Sequence, residues 1–405
     1  MNRADIFVIV GSLLALALLF TPRLKASGVW RATLTPLASI IGSGFLIIGP
    51  ILVSHFGRMA LIPMIILCLT GYAFGSAVRY NIASIAREEG ATTSSPQKLE
   101  AVASWSLAIA YAISVTYYLN LFGSFAARIV GTDTGQLGRV ITSAVFLAIL
   151  VAGFLRGFSM LERMERVSVS IKLAVIAGLL LGLSAYLAGM WQSGELPEIR
   201  AHWSVWQGLP LVLGLLITVQ GFETSRYLGD SYPPAIRIRS MLLAQIIAFA
   251  IYLIYVSLLS TGFPMASVPI SETAIIDLMA RVSELLPILL IIAALSSQFS
   301  AALAVTGSSG GLVEELTHGR VVPRNGYVLI VFAGLLLTWL SDVFSIISFA
   351  SRAFALYYAL QSAIAAKRAW NGERLALPRF LRAAFFSALC LSGLLVLTLG
   401  VPVDA

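Results

Sequence analysis

The sequence is poor in charged residues. Asp, Glu, Lys and Arg make up 11% of its 405 residues, whereas 59% are hydrophobic and the mean hydropathy is +0.91. Soluble globular proteins carry about 25% charged residues, which cover their water-facing surface. The composition therefore predicts an integral membrane protein whose main partner is the lipid bilayer. It excludes soluble enzymes, disordered regulators and nucleic-acid-binding proteins, despite a net charge of +8.

Cysteine and histidine are also scarce. The only two cysteines, Cys68 and Cys390, lie in apolar stretches, and the three histidines are far apart. We therefore predict no disulfide framework, no metal site and no cofactor. A GxxxxGK[ST] phosphate-binding motif is missing, which argues against ATP-driven pumping. Residues 182–185 (GLSA) are similar to a string of intramembrane serine proteases, but no histidine lies in a helix that could reach Ser184, so we predict no enzyme activity.

Long hydrophobic runs are what the sequence has in abundance. A helix needs about 20 apolar residues to cross the hydrocarbon core of a bilayer. Twelve segments reach or approach this length, which predicts an all-α integral membrane protein with about twelve transmembrane helices and no soluble domain. These segments are 5–21, 33–55, 59–86, 99–126, 139–157, 164–188, 205–228, 238–262, 284–312, 326–341, 343–366 and 379–400.

The basic residues predict the orientation of the chain. If alternate loops face the same side, one set of loops holds 18 Lys and Arg, and the opposite set with the chain ends holds six. Cytoplasmic loops are enriched in Lys and Arg. We therefore expect the first set to be cytoplasmic in a plasma (inner) membrane, with both termini extracytoplasmic.

Two of the hydrophobic segments are interrupted by glycine near their middles, at residues 39–45 (SIIGSGF) and 218–224 (TVQGFET). Glycine lowers the cost of leaving helical geometry, and unwound backbone in a membrane has to be buried in protein or line a cavity. Each segment is the first of five consecutive predicted helices. Because five is an odd number of crossings, the second set of five helices enters the membrane from the side opposite to the first. Such a pair of segments points to a transporter site between two halves of the chain, whereas each interruption taken singly is more typical of close helix packing.

Three strings resemble the amino acid–polyamine–organocation (APC) superfamily over roughly residues 30–370. Residues 40–45 (IIGSGF) resemble its first-helix signature, and residues 221–223 (GFE) with 233–237 (PPAIR) resemble its sixth core helix and the following loop. Residues 155–157 with 169–173 resemble its link from the fourth to the fifth core helix. Residues 228–232 (LGDSY) depart from the usual acidic and Asn-Pro pattern, so the resemblance does not name a substrate.

The resemblance implies a leucine-transporter-type fold: a 5+5 inverted repeat whose core helices 1 and 6 are discontinuous. It divides the chain into an extra N-terminal helix and loop (1–30), a first repeat (31–190), a second repeat (191–370) and a C-terminal peripheral helix (371–405). It further implies a secondary active transporter that moves an amino acid or a related small amine or zwitterion. The oligomeric state stays open.

The resemblance also implies which residues contact the substrate. The outer half of core helix 1 would offer free N–H groups to a carboxylate, and the end of the outer half of core helix 6 would offer carbonyls to an ammonium group. Phe222 either closes the site or packs, and Glu223 either binds a cation, carries a proton or pairs with Lys172 or Arg352. The expected substrate-binding residues are Gly42, Ser43, Gly44, Gln220, Gly221, Phe222, Glu223 and Tyr117.

The expected ion-coupling residues are Lys172, Ser296, Ser297 and Glu223. Lys172 matches a lysine that replaces the ion in proton-coupled relatives, and desolvation would help it to release a proton. Alternatively, its long aliphatic side chain extends so that the ammonium group reaches the cytoplasmic surface. Ser296 and Ser297 match hydroxyl ligands of sodium-coupled relatives, or they form interhelical hydrogen bonds. The lysine favours proton coupling or exchange over sodium.

Two other functions remain open. A cation or chloride cotransporter, or a channel-like ion pathway, is compatible with the same fold and with serines on the eighth core helix. A sensor that binds its ligand without moving it is also compatible. Arg352 lies too deep to reach the surface easily, so we expect a buried partner, Glu223 or Asp342.

Overall fold

A computed structural model defines the fold, and the residues that it describes are almost entirely helical. They are 3–42, 44–88, 97–130, 135–156, 161–199, 203–228, 232–264, 271–317, 320–321, 323–371 and 376–402. The α-helices within these residues are α1 (Arg3–Leu19), α2 (Pro22–Ala26), α3 (Gly28–Ile40), α4 (Gly44–Phe56), α5 (Leu61–Glu88), α6 (Gln97–Ile129), α7 (Gly135–Arg156), α8 (Leu161–Ser193), α9 (Leu209–Gly214), α10 (Pro234–Gly262), α11 (Ala274–Ala280), α12 (Leu286–Leu316), α13 (Pro323–Leu340), α14 (Val343–Asn371) and α15 (Ala376–Leu399).

Seven helical stretches in the described part of the chain are long and apolar enough to cross a membrane. One is the continuous stretch Gly44–Ala86, and the others lie within α6, α8, α10, α12, α14 and α15. Shorter apolar helices are found at Gly135–Val151 and Asn325–Leu340. The protein is therefore a multi-pass integral membrane protein, and the number twelve stays a prediction. The remaining predicted segments correspond to the short helices α1, α3 and α9.

Several helices begin at residues whose chemistry suits a helix start. The Ser27 hydroxyl accepts the Trp30 N–H at the start of α3, at 3.2 Å. The Asp342 carboxylate accepts the Ser345 N–H at 2.9 Å in the first turn of α14. Pro234 is the first residue of α10, where its missing N–H costs nothing. These local signals fix where the long helices begin.

Ion pairs in the first or last turns of helices define two ends of the helical bundle. At one end, Arg226 and Arg368 both contact the Glu100 carboxylate, at 2.7 Å and 3.2 Å. At the other end Arg128 pairs with Asp277. The first end contains the loops with many Lys and Arg and is called the arginine-rich end; the second is called the charge-poor end.

Helix α1 packs along α8. Gly178 of α8 lies against Val8 and Ser12 of α1, so closely that an added Cβ would be 2.2 Å from the Ser12 hydroxyl. The buried Asp5 carboxylate of α1 accepts a hydrogen bond from the Ser283 hydroxyl at 2.6 Å, between α11 and α12. Helix α1 is therefore an integrated part of the bundle, fixed along its length by small residues and at the charge-poor end by a polar contact.

Candidate functional site

The helix of residues 28–56 is interrupted at its middle. Helix α3 ends at Ile40 and α4 begins at Gly44, and Ser43 lies outside the described residues. Gly42 is buried between the two helices, with the Tyr118 ring as a neighbour, and Gly44 lies against Thr218. The interruption falls at the glycine pair, as the sequence predicts.

The second interrupted segment is more irregular. Helix α9 gives way to a 3₁₀ turn at Leu216–Val219, then to extended Gln220, and then to a second 3₁₀ turn at Phe222–Tyr227. Gly221 joins the two turns with a φ of +115°, a conformation that residues with a side chain rarely adopt. A Cβ on Gly221 would lie 2.5 Å from the Ser39 hydroxyl, so the two interruptions are in direct contact.

Tyr252 of α10 bonds both interruptions. Its hydroxyl lies 2.9 Å from the carbonyl oxygen of Ile40 and 2.6 Å from that of Thr218, and can donate its proton to either. Ile40 is the last residue of α3, so its carbonyl has no partner within the helix. The sequence analysis did not single out Tyr252, because a tyrosine in a membrane helix carries no local signal for a contact with two distant segments.

Lys172 satisfies a second carbonyl at the same helix end. Its buried ammonium group donates to the Ala38 carbonyl oxygen at 2.9 Å and to the Ser297 hydroxyl at 3.0 Å. Lys172 therefore does not extend to the membrane surface. Of the two serines predicted for ion coupling, Ser297 contacts Lys172, whereas Ser296 is half-buried one position further round α12.

Glu223 stabilises the second interruption. One of its carboxylate oxygens, Oε2, accepts the Gly221 N–H at 2.9 Å and the Tyr358 hydroxyl at 2.7 Å. The expectation that Glu223 pairs with Lys172 or Arg352 is therefore wrong. The reason is local: a carboxylate two residues after a backbone break can accept the N–H groups that the break leaves without helical partners.

The aromatic residues of the site form a stack. The ring of Phe222 is stacked on that of Tyr358 at 5.1 Å, and Phe74 is stacked on Tyr358 at 5.2 Å. The predicted Tyr117 is buried beside Tyr118, but Tyr118 is the residue next to Gly42. Gln220 is buried between the two turns, near the Tyr118 hydroxyl.

Arg352 has a different partner from the one expected. Its guanidinium group contacts the Gly400 carbonyl oxygen, with Nε at 3.0 Å. The Asp342 carboxylate is instead bonded to the Ser345 N–H and contacts the Ser345 hydroxyl. The sequence could not reveal this, because residue 400 meets α14 only once α15 has packed back along it.

A cavity lies beside the interruptions on the side of the arginine-rich end. It is lined by the second half of α3, by α6, by the second 3₁₀ turn and by α12 from its middle onwards, including Ser39, Tyr111, Thr224, Tyr227 and Ser300. On the side of the charge-poor end, residues 44–53 of α4 are all buried. The interruptions are therefore approached by a cavity from the arginine-rich end, whereas α4 is buried on the opposite side, apart from a smaller cavity beside Gly42, Phe45 and Lys172.

Two comparisons with known proteins identify the family. A family described as APC superfamily transporter matches residues 22–400. An uncharacterized protein of Aquifex aeolicus (strain VF5) is 38% identical to the chain over 375 residues, which cover 90% of each protein. The span of the family match includes the positions of both interruptions and of Lys172. The chain therefore belongs to the APC superfamily and is a membrane transporter.

Proposed function

We propose that the chain is a secondary active transporter that moves an amino acid, or a related small amine or zwitterion, by alternating access, either coupled to protons or by uncoupled exchange. The observation that carries this proposal is the buried Lys172 ammonium on the end of α3, next to two helix interruptions in contact. The proposed architecture has twelve spans. Residues 31–190 and 191–370 form inverted repeats, 1–30 and 371–405 are peripheral, and both termini are extracytoplasmic in the plasma (inner) membrane.

The backbone at the interruptions supports a zwitterionic substrate. The first N–H groups of α4 have no partner within their helix and carry the positive end of its dipole, so they suit a carboxylate. The turn at Leu216–Val219 ends at Gln220, whose neighbouring carbonyls suit an ammonium group. The buried Tyr118 and Gln220 side chains lie beside the interruptions and offer further hydrogen bonds.

The position of Lys172 supports proton coupling. Its ammonium group lies at the C-terminal end of α3, where the helix dipole favours a positive charge. The Ser297 hydroxyl oxygen accepts a hydrogen bond from this ammonium group and is engaged there, so the lysine takes the place that a sodium ion would need. If α3 moves away from α8 during the cycle, Lys172 loses the Ala38 carbonyl, and removing one partner of a buried charge is costly. We infer that the proton leaves with this movement.

The cavity at the arginine-rich end supports a particular state of the cycle. Cytoplasmic loops are rich in Lys and Arg, so the cavity beside Ser39 and Thr224 opens towards the cytoplasm under this assignment. The structure then corresponds to a state that is closed to the outside. Opening to the outside requires displacement of the buried helix α4 or of the segment that starts at α9.

Uptake into proteoliposomes tests the proposal. Radiolabelled amino acids and amines are offered to the purified protein with an imposed proton gradient, an imposed sodium gradient or neither. We expect saturable uptake that the proton gradient drives and that Lys172→Ala abolishes. The matched control is Lys367→Ala, because Lys367 lies near the end of α14 and far along the chain from the interruptions.

Each alternative function gives a different result in this assay. Ion currents that do not saturate would favour a channel, and ligand binding without flux would favour a sensor. Uptake that follows the sodium gradient in the wild type would contradict the role given to Lys172. Uptake that is unchanged in Lys172→Ala would contradict it as well.

A further inference from the structure

Arg352 is a charged residue deep in α14 that the proposed function does not use. Its guanidinium group contacts a single oxygen, the Gly400 carbonyl, through both Nε and Nη2. Hydrogen bonds with a charged donor are about twice as strong as neutral ones. The side chain therefore fixes the backbone just after α15 against the middle of α14.

The backbone that Arg352 fixes lies on α9. The Val401 N–H donates to the Pro210 carbonyl oxygen at 3.1 Å. Gly214, the last residue of α9, is so close that an added Cβ would lie 1.9 Å from the Val401 carbonyl oxygen. Residues 400–401 are called the 400–401 strap. It contacts both ends of a helix that has only six residues and cannot hold its position alone.

Helix α14 holds the next part of the same segment directly. The Ser351 hydroxyl accepts the Ile217 N–H at 3.0 Å, within the 3₁₀ turn that follows α9. The adjacent residues Ser351 and Arg352 of α14 therefore hold the chain in place on both sides of residue 215. Ser351 acts by its own side chain, and Arg352 acts through the strap.

We propose that Arg352 is a positioning residue, and that it keeps the 400–401 strap on α9 so that the transporter stays closed at the charge-poor end. Opening at that end then requires the strap to leave α9. The proposal rests on the alternating access proposed above, in which the segment from α9 to Gln220 has to move. It gives the residues after α15 a part in the cycle, although they lie outside both repeats.

Thiol accessibility tests the strap without any substrate. Cys68 and Cys390 are replaced by alanine, and one reporter cysteine is introduced. Ile47→Cys in α4 reports on the charge-poor end, and Ala301→Cys reports on the cavity at the arginine-rich end. The rate of reaction with a thiol reagent is measured for the two reporters in the Arg352→Gln and Val401→Pro backgrounds.

We expect the rate at residue 47 to rise roughly tenfold in both backgrounds, because hydrogen bonds to a charged group are lost in one and a backbone donor is lost in the other. The rate at residue 301 is expected to fall, since the populations of two states are linked. Arg352→Lys, which keeps the charge, is expected to give a smaller rise. The control Arg382→Gln removes an exposed charge from the opposite end of α15 and is expected to change neither rate.

Two results would overturn the proposal. One is an unchanged rate at residue 47 in folded Arg352→Gln and Val401→Pro proteins. The other is an equal rise at both reporters, which would indicate general loosening. If Arg352→Gln does not fold, Val401→Pro decides, because it removes one N–H and no charge. Failure of amino acid uptake would refute the proposed function and leave the accessibility result unaffected, so the two failures are distinguishable.

Discussion

The two interruptions differ in what holds them. The first lies between two regular helices, α3 and α4, and side chains from other helices satisfy its carbonyls: Lys172 from α8 and Tyr252 from α10. The second also receives bonds from α10 and α14, through Tyr252, Ser351 and Tyr358, but in addition it has bonds between its own residues. The Gly221 N–H donates to Glu223, and the Thr224 hydroxyl donates to the Gly221 carbonyl at 2.7 Å.

This difference separates a break that depends on its neighbours from one that is encoded locally. The contacts of α3 disappear whenever α3 and α8 move apart, so the first break is sensitive to helix movement. The second break keeps the bonds between its own residues if the segment moves as a unit. The proposed coupling at the first break depends on contacts that movement can break, whereas the shape of the second break depends partly on its own residues.

The largest expected effect is that of Gly221→Ala, which disrupts the second break. A side chain is strained at a φ of +115° and would collide with Ser39. The sum of strain and overpacking is expected to cost about 3 kcal/mol. Thermal unfolding of the detergent-solubilised protein measures the loss. Gly189→Ala is the control, because an added Cβ there meets no atom within 4 Å, and a similar loss in this control would contradict the interpretation.

The next effect is that of Tyr252→Phe, which removes the hydroxyl shared by both breaks. We expect a loss of about 2 kcal/mol, because buried carbonyl oxygens are left without their donor. Thermal unfolding again measures it. The matched control is Tyr255→Phe, since the Tyr255 hydroxyl lies 3.3 Å from the Leu46 carbonyl oxygen, a weaker contact. Equal losses in the two variants would argue against a bridging role.

A double-mutant cycle examines the second break further. Glu223→Ala and Tyr358→Phe each remove one side of a buried hydrogen bond of 2.7 Å. We expect a coupling energy of about 1 kcal/mol between the two positions, in the range measured for residues in contact. Unfolding of the two single variants and the double variant gives this value, and additive losses would show that the bond contributes no stability.

The smallest expected effect distinguishes two neighbouring serines. Ser297→Ala removes an acceptor of the Lys172 ammonium and is expected to cost about 1 kcal/mol and to reduce uptake. Ser296→Ala is expected to change stability by less than about 0.5 kcal/mol, as substitutions away from such contacts do. Parallel unfolding and uptake measurements compare the two. A larger effect of Ser296→Ala would contradict the assignment of Lys172 to Ser297.

The positions of the breaks were predictable from the sequence, and their partners were not. Glycine pairs in long apolar segments are local signals, and so is a carboxylate close to a glycine. Tyr252 and Tyr358 were missed because their contacts join segments far apart in the chain. Arg352 was given the wrong partner because buried basic side chains usually pair with carboxylates, whereas here the Gly400 carbonyl oxygen accepts the hydrogen bonds of the guanidinium group. The lysine was found only because its surroundings resemble those in a known family.

The packing of α1 on α8 bears on which helix travels during transport. Gly178 meets Ser12 with no space between them, and Asp5 is tied to Ser283 beyond the end of α8. Helix α8 is thus fixed on the face that packs against α1, and the two helices form one rigid unit. Separation of Lys172 from Ala38 then amounts to a displacement of α3 against a stationary pair of helices. In this way α1, which precedes the matched family region, would determine that Lys172 stays in place and Ala38 moves when the contact between them breaks.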